Sequence, residues 1–359
     1  MTKKKLFDWQ KKGFSEARQT IGTLVATSGG KLIGFRGLIP GQYQVHLGGE
    51  EMTLLAGGSS FMWTVREEFR GQKVGLAMEL KAQEMMPVMC GVRAKAATSL
   101  RIYKKSGFTV LDAFVRYVLP LQKDGYARLL TQHAGERELE AWCGEMDFGH
   151  DPIGPQAPDL EQMANSWREV TLPLGLFSLN RSQEFYKWRY LDSTGFNYLF
   201  FGDGRQGGYI VARLETIYAP GRPDLHKGKV LRLIEIVPRS PETWQEGSNQ
   251  QDLALLQGVC AWARQQGCLA ADFYHSTSRF NALMTGAGFK VQDPFDVQPL
   301  TSLCLLFQPL TYIITSANTF FRINPGGQGL LSLNFENTCI FKSECDLDRP
   351  VLFDYEDWS

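Results

Sequence analysis

The stretch WTVREEFRGQKVGLAM, residues 63–78, decides how the chain is read. Its first residues close a β-compatible run, FMWTV at 61–65. Its last begin a helical periodicity in which Val74, Ala77 and Met78 share one apolar side and Leu80 widens it. Between the two lie Arg70, Gly71, Gln72, Lys73 and Gly75. A glycine-containing turn from strand into helix aims backbone N–H groups at one place, and a helix N-terminus adds partial positive charge, so the junction suits anionic oxygens. The same spacing also occurs in α/β proteins that hold no ligand there.

Working outward, IGTLVATSGGKLIGFRGLIP (21–40) and QVHLGGEEMTLLAGGSSFMWTV (44–65) read as strands broken by glycine turns. Downstream, the helix is expected over 74–85 with Pro87 as its boundary. A short strand VMCGV (88–92), a helix in ATSLRIYKKSG (97–107) and an extended run FTVLDAFVRYVLPL (108–121) follow. Residues 126–168, with HDPIGPQAPDLEQ, read as a polar connector with some helix at either side. Beyond it FSLNRSQEFYKWRYL (177–191) is helix-compatible, with Asn180 or Ser182 as N-cap. Strands in YLFFG, GGYIVARLETIY and KVLRLIEIV precede a long helix in QDLALLQGVCAWARQQG. Then come a strand LAADFY, a short helix in SRFNALMTGAG and a strand LTSLCLLF. The layout of strands, long helix, strand, short helix and strand thus occurs twice, and YKKSGF at 103–108 is echoed by MTGAGF at 284–289. Duplication explains both. The expected division is a first unit over 1–125, the connector over 126–168, a second unit over 169–310, and an extension over 311–359 that completes a cleft.

Composition narrows the function. Of 359 residues 43% are hydrophobic, enough for substantial cores. Lys+Arg and Asp+Glu both number 38, a formal net charge of +0, which gives no bulk electrostatic case for a nucleic-acid polymer. The basic start MTKKKLFDWQKKGF lacks the apolar core of a secretory signal, and the apolar stretches are too interrupted for stable membrane insertion, so a cytoplasmic protein is expected. The seven cysteines form no CxxC pairs, so neither a disulfide framework nor a zinc site is indicated and no metal is expected. Cys90 reads as a small buried side chain.

With these motifs in this order, the chain resembles tandem members of the GCN5-related N-acetyltransferase superfamily. The resemblance rests on VREEFRGQKVGLAM and ATSLRIYKKSGF. It implies mixed α/β sheets in two tandem domains, the second degenerate in its donor motif. In the first, Val65, Arg70, Gly71, Gln72, Lys73, Val74, Gly75 and Leu76 would hold the donor pyrophosphate, with pantetheine between parallel strands splayed at 61–65 and 88–92. Lys73 stands where the family pattern has a glycine; it keeps a backbone N–H and adds charge that either meets phosphate or faces solvent. Tyr103 keeps the family's tyrosine position, which implies proton donation to the departing CoA sulfur; a packed structural aromatic is the other reading. In the second unit no arginine-glycine loop follows LRLIEIV, and Met284 stands in place of the tyrosine. A thioether is no general acid, so donor binding falls to the first unit and acceptor binding to the second.

EFYKWRYL and FKSECDLDRP resemble segments of tandem transferases of surface-polysaccharide sugar biosynthesis. This implies that Trp188, Arg189, Asp346, Asp348 and Arg349 meet the acceptor; for the last three, a solvated turn is the other reading. For the general base, Glu235 is an acid in an apolar strand, and His275 falls on the face opposite Asp272 and Tyr274 in DFYHSTSR. The implied reaction moves an acyl group from acetyl-CoA, a longer acyl-CoA or an acyl carrier protein to a primary amine, that of a nucleotide-linked amino sugar. The alternatives are acylation of an amino acid or peptidyl precursor, and a non-catalytic protein that responds to acyl-CoA.

Overall fold

The structure is a computed structural model that describes residues 9, 22–46, 52–92, 94, 99–111, 115–122, 150–193, 195–202, 208–217, 223, 226–242, 249–292, 318–324 and 333–344. Its first part runs β1 (Thr23–Ser28), β2 (Lys31–His46), β3 (Met52–Val65), α1 (Val74–Met85), β4 (Val88–Val92), α2 (Ser99–Lys105), β5 (Thr109–Leu111) and β6 (Val115–Pro120). Then come α3 (Leu160–Thr171), β7 (Ser178–Leu179), α4 (Gln183–Tyr186), β8 (Tyr198–Phe201), β9 (Tyr209–Thr216) and β10 (Lys229–Val237). The last are α5 (Gln250–Gln265), β11 (Cys268–His275), α6 (Asn281–Gly286), β12 (Lys290–Gln292) and β13 (Thr319–Ile323).

The strands form two mixed sheets. The first has the order β1-β2-β3-β4-β13-β5, with β7 also on β2; the second has the order β12-β6-β11-β10-β9-β8. Read from β1 and from β8, the two are the same in sequence of places and in polarity. Two antiparallel steps lead to a parallel pair, β3 with β4 and β10 with β11, and two further antiparallel steps close the sheet. The fifth place is exchanged. β13, late in the chain, lies between β4 and β5, while β6, early in the chain, lies between β11 and β12. A boundary at residue 125 therefore divides the chain without dividing the sheets.

Local sequence accounts for most elements. Gly29 and Gly30, at φ of 55° and 75°, make the two-residue turn that joins β1 to β2. α1 has the bounds that its apolar periodicity predicts. α3 lies at the end of the connector, where some helix is expected: Asp159 caps it by accepting from the Gln162 N–H, and Met163, Trp167 and Val170 bury one side beneath polar neighbours. The helix expected over 177–191 is broken up. Phe177 and β7 precede α4, which starts at the Ser182 cap, and one turn of π-helix, Lys187–Leu191, follows. The run expected as one strand over 108–121 gives β5 and β6, in different sheets. The strand expected in LTSLCLLF lies outside the described residues.

One apolar cluster joins the sheets, including Tyr43, Val88 and Cys90 from the first and Leu231 and Phe273 from the second, with Phe177 and Phe341 among them. A smaller one lies under α1 and α2, where Leu38, Ala82, Met86, Met89, Tyr103 and Phe108 meet Phe320 of β13. The Cys90 thiol donates to the Tyr43 hydroxyl at 3.2 Å, and burial pushes its pKa up to about 12, so it stays a thiol. Phe320 sits over Gly91, where an added Cβ would fall 2.5 Å from the ring and 3.1 Å from the Ser60 Cβ. Gly91→Ala is expected to cost about 1–3 kcal/mol through overpacking, read as a lower midpoint of urea unfolding. An unchanged midpoint would show that β13 does not dock on β4.

Candidate active site

β3 and β4 pair from Gly57–Val88 to Ser60–Gly91. Past Ser60, β3 runs on to Val65 with β2 as its pairing partner, so the two parallel strands part there. A bulge lies just beyond the fork: Phe61 pairs with Gly37 and Trp63 with Arg36, which leaves Met62 between them at φ 38°, 53% exposed. After Val65 the chain makes a tight turn, Glu67–Phe69, and enters α1 through two left-handed residues, Gly71 at φ 81° and Lys73 at φ 61°. Lysine here holds the conformation that glycine adopts freely, at a cost of about 1 kcal/mol. Lys73 is the N-cap of α1 and gives it no side-chain cap. Arg70 folds back so that its Nε donates to the Val65 carbonyl at 3.3 Å, and the Gln72 amide donates to the Glu68 carbonyl at 3.2 Å. Gly75 fits the first turn against Trp63, whose indole nitrogen would stand 3.3 Å from an added Cβ. The structure thus gathers Val65, Arg70, Gly71, Gln72, Lys73, Val74, Gly75 and Leu76 around the N-terminal end of α1, with residues 70–73 exposed.

Tyr103 lies behind this turn, at the fork. Its hydroxyl accepts from Arg36 Nη2 at 3.0 Å, and the same nitrogen donates to Ser60 Oγ at 2.6 Å. Arg36 Nε donates to Glu79 Oε2 at 3.0 Å, and Glu79 Oε1 accepts from the Gln83 amide at 3.2 Å. The ring stacks on Phe320 at 4.0 Å and touches Phe108 at 4.8 Å. Burial pushes the phenol pKa up to about 12 against the pull of Arg36, so the group keeps its proton at neutral pH. Tyr103 is thus a packed ring with its hydroxyl at the point where the strands part. Arg36, Ser60 and Glu79 escaped the sequence reading. The available signal was a pair of opposite charges at core positions, Arg36 within the apolar β2 and Glu79 on the inner side of α1.

The second fork is built differently. β10 and β11 pair as far as Leu233–Phe273, and a bulge before Glu235 turns its side chain onto the face of Tyr209. There Glu235 accepts from Tyr190 at 2.7 Å, Tyr209 at 3.0 Å, Tyr186 at 3.1 Å and Ser343 at 3.4 Å, and pairs with Arg181 Nε at 3.0 Å. The Tyr186 and Tyr209 hydroxyls also touch, and Arg181 pairs in addition with Glu344. Arg181 donates to the Leu179 carbonyl at 2.8 Å and lies 3.8 Å over Trp167. Burial pushes the Glu344 carboxyl up to about 7 despite Arg181. Glu235 is therefore a saturated buried junction, and this placement argues against the base expected of it.

The end of β11 pairs with residues 340–341. His275 bridges to Phe341, the Ser276 N–H donates to the Ile340 carbonyl at 3.1 Å, and the Ile340 N–H donates to Ser276 Oγ at 2.9 Å. On its other side the segment meets Phe177, whose N–H donates to the Asn337 carbonyl at 2.8 Å. The chain itself thus occupies the mouth of the second fork.

His275 is fully buried, stacked on Tyr117 at 5.3 Å and edge-on to Phe280. Burial lowers its pKa to about 3, with a smaller opposing effect from a hydrogen bond with the Thr277 backbone, so the imidazole is neutral. It too is enclosed rather than poised as a base. Asp272 and Tyr274 occupy the opposite face, with Arg116 paired to Asp272 at 2.8 Å. Trp188 and Trp9 each donate an indole N–H to the other's carbonyl, and Arg189 donates to the Ser343 carbonyl at 2.8 Å. Both predicted acceptor residues are buried in packing. Asp346, Asp348 and Arg349 lie outside the described residues. Among the described residues no three potential ligands group to hold a metal, and no helix is long and apolar enough to cross a membrane.

No family model and no curated protein matches the sequence. Among solved structures, Saccharomyces cerevisiae N-myristoyltransferase with bound myristoyl-CoA is similar at a TM-score of 0.54 and 10% identity, over 96% of this chain and 75% of that one. A GCN5-related N-acetyltransferase from Anabaena variabilis gives 0.45 and 16%, over 85% of this chain and 63% of that one. Another from Kribbella flavida gives 0.45 and 14%, over 90% and 65%. The chain thus spans less than two thirds of the length of these two proteins. The likeness to the yeast enzyme shows a shared fold.

Proposed function

We propose that the chain is an acyl-CoA-dependent N-acyltransferase built from two copies of one α/β unit, with a single working donor site in the first. The observation that carries this is the contrast between the forks. The first leads past a bulge into the left-handed turn at Gly71 and Lys73, with a protonated phenol at its apex; the second is occupied by residues 340–341 and locked by Arg181 and Glu235. The myristoyl-CoA in the similar yeast structure supports an acyl-CoA as donor and makes chains longer than acetyl part of the range to test.

In this reading the pyrophosphate lies on the amides at the start of α1, and pantetheine enters between the diverging ends of β3 and β4. A neutral amine attacks the thioester carbonyl, the resulting oxyanion collapses, the C–S bond breaks, and Tyr103 protonates the departing sulfur. The amine loses one proton and the phenol regains one, leaving amide and free CoA. The acceptor is a primary amine, that of a nucleotide-linked amino sugar, approached from the side of the second copy, with Asp346, Asp348 and Arg349 as its proposed contacts.

A mass-spectrometric product screen tests this by offering nucleotide amino sugars and amino acids with acyl-CoAs of several lengths. Acylated nucleotide sugar is the expected product. Exclusive amino-acid acylation would overturn the acceptor, and saturable donor binding without any product would overturn catalysis. The donor site has its own test by calorimetric titration of CoA. Arg70→Ala is expected to weaken binding by about 0.5–2 kcal/mol and Lys73→Ala by less, because Lys73 places its backbone in the turn whichever way its charge points. Unchanged affinity in both would remove the pyrophosphate from this turn.

A further inference from the structure

We infer that Arg36 is the positioning residue for Tyr103, holding the phenol oxygen as an acceptor so that its one proton is directed away from the guanidinium and toward the fork of β3 and β4. This deepens the proposed function and rests on it for the chemistry, but the arrangement itself is geometric. A tyrosine hydroxyl is one donor with acceptor lone pairs, and its hydrogen rotates to suit its neighbours. Arg36 has no acceptor, so wherever it contacts the phenol it fixes the oxygen as the receiving partner. The contact spans 3.0 Å, and the same Nη2 spans 2.6 Å to Ser60, the last residue of β3 that still pairs with β4. The hydroxyl is thereby tied to the apex of the fork rather than to the helix that carries it.

The guanidinium is held in turn. Glu79 from α1 receives its Nε at 3.0 Å and lies 2.9 Å from Nη2, Gln83 secures the other carboxylate oxygen, and the Trp63 ring lies 5.0 Å from the guanidinium carbon. The groups facing the phenol are thus Arg36 from β2, Ser60 and Trp63 from β3, Glu79 from α1, and the Phe108 and Phe320 rings. Two of them are charged, and they act in opposite directions. When the phenol gives its proton to sulfur, the negative charge left behind is buried beside Arg36, which stabilises it, and near Glu79, which opposes it. Arg36 therefore aims the proton and favours its departure, while Glu79 anchors Arg36 and restrains that departure.

The test compares Arg36→Lys, Arg36→Met and Glu79→Gln with the parent chain. One readout is the single-turnover acyl-transfer rate at saturating donor against pH; the other is the resonance of 13Cζ-labelled tyrosine, assigned by its loss in Tyr103→Phe. Arg36→Met is expected to lower the chemical rate by about tenfold or more with donor affinity within about twofold, and Arg36→Lys to recover part of the loss. Tyr103 acts in its protonated form, so the rate falls as pH rises through its pKa. Glu79→Gln removes the opposing charge and moves that fall to lower pH, whereas Arg36→Met moves it up. In the Tyr103→Phe background the Arg36 substitutions should change the rate no further. A rate for Arg36→Met within about twofold of the parent, with the protein folded and donor bound, would overturn the inference. The resonance keeps the test independent of activity. If the parent acylates no amine, the function falls, and the inference stands or falls on whether the Tyr103 signal shifts in Arg36→Lys at neutral pH.

Discussion

Replacing Tyr103 by phenylalanine is expected to slow single-turnover acyl transfer by about 10²-fold or more while donor affinity stays within about twofold, since general-acid assistance contributes on the order of 10²–10⁴. The ring keeps its stacking on Phe320 and Phe108, so the loss isolates the hydroxyl. With the phenol pushed up to about 12, the acid remains loaded across the neutral range and only regions well above it should deplete it. Met284, fully buried in α6 beside the second sheet, is the control: Met284→Leu preserves apolar volume and should retain most of the chemical rate. Loss of the chemical step in Met284→Leu with none in Tyr103→Phe, both folded and loaded, would overturn the assignment of the active site to the first fork.

The largest expected effect on stability comes from Arg181→Met, about 3–5 kcal/mol, because the substitution strands Glu235 and Glu344 in the interior without the cation between them. The urea-unfolding midpoint measures it. Glu344→Gln should cost far less at neutral pH, since burial already pushes this carboxyl up to about 7, well above its ordinary 4.5. The sign of the pH dependence follows. A carboxyl with a raised folded-state pKa favours folding in its neutral form, so its contribution is complete below about pH 4.5 and is lost as pH rises through about 7. The parent chain should lose stability across that window, and Glu344→Gln should flatten the loss. A loss in Glu344→Gln as large as in Arg181→Met would show that the Glu344 charge, and not its neutral form, holds the junction together at neutral pH.

What was legible in the sequence was local. The end of β3, the glycine turn and α1 all lie within residues 61–85, and each follows from spacing that a short window contains. The two sheets share one order of antiparallel and parallel steps, and most of their strands lie in short windows that carry their own periodicity. What escaped needed partners far along the chain. Arg36 and Glu79 are ordinary charges until β2 and α1 are stacked. In EFYKWRYL the resemblance points to Trp188 and Arg189 as acceptor contacts, yet its Tyr186 and Tyr190 both meet Glu235, and an isolated acid in an apolar strand becomes a junction with five neighbours. The exchange of β6 and β13 had no local signature at all: an apolar run declares that a strand is buried, but both sheets offer an equivalent place in which to bury it.

That exchange governs how the molecule is made. Asn318, just before β13, grips both the N–H and the carbonyl of Ala94 across 224 residues of chain, at 2.9 and 3.0 Å. At synthesis rates of about 5–20 residues per second, the place beside β4 stands empty for roughly 10–45 s after β4 leaves the ribosome. During that interval the nascent first sheet presents an unpaired edge within reach of β13 strands from finished neighbours, and polysome crowding is the condition in which chains of this design would cross-pair.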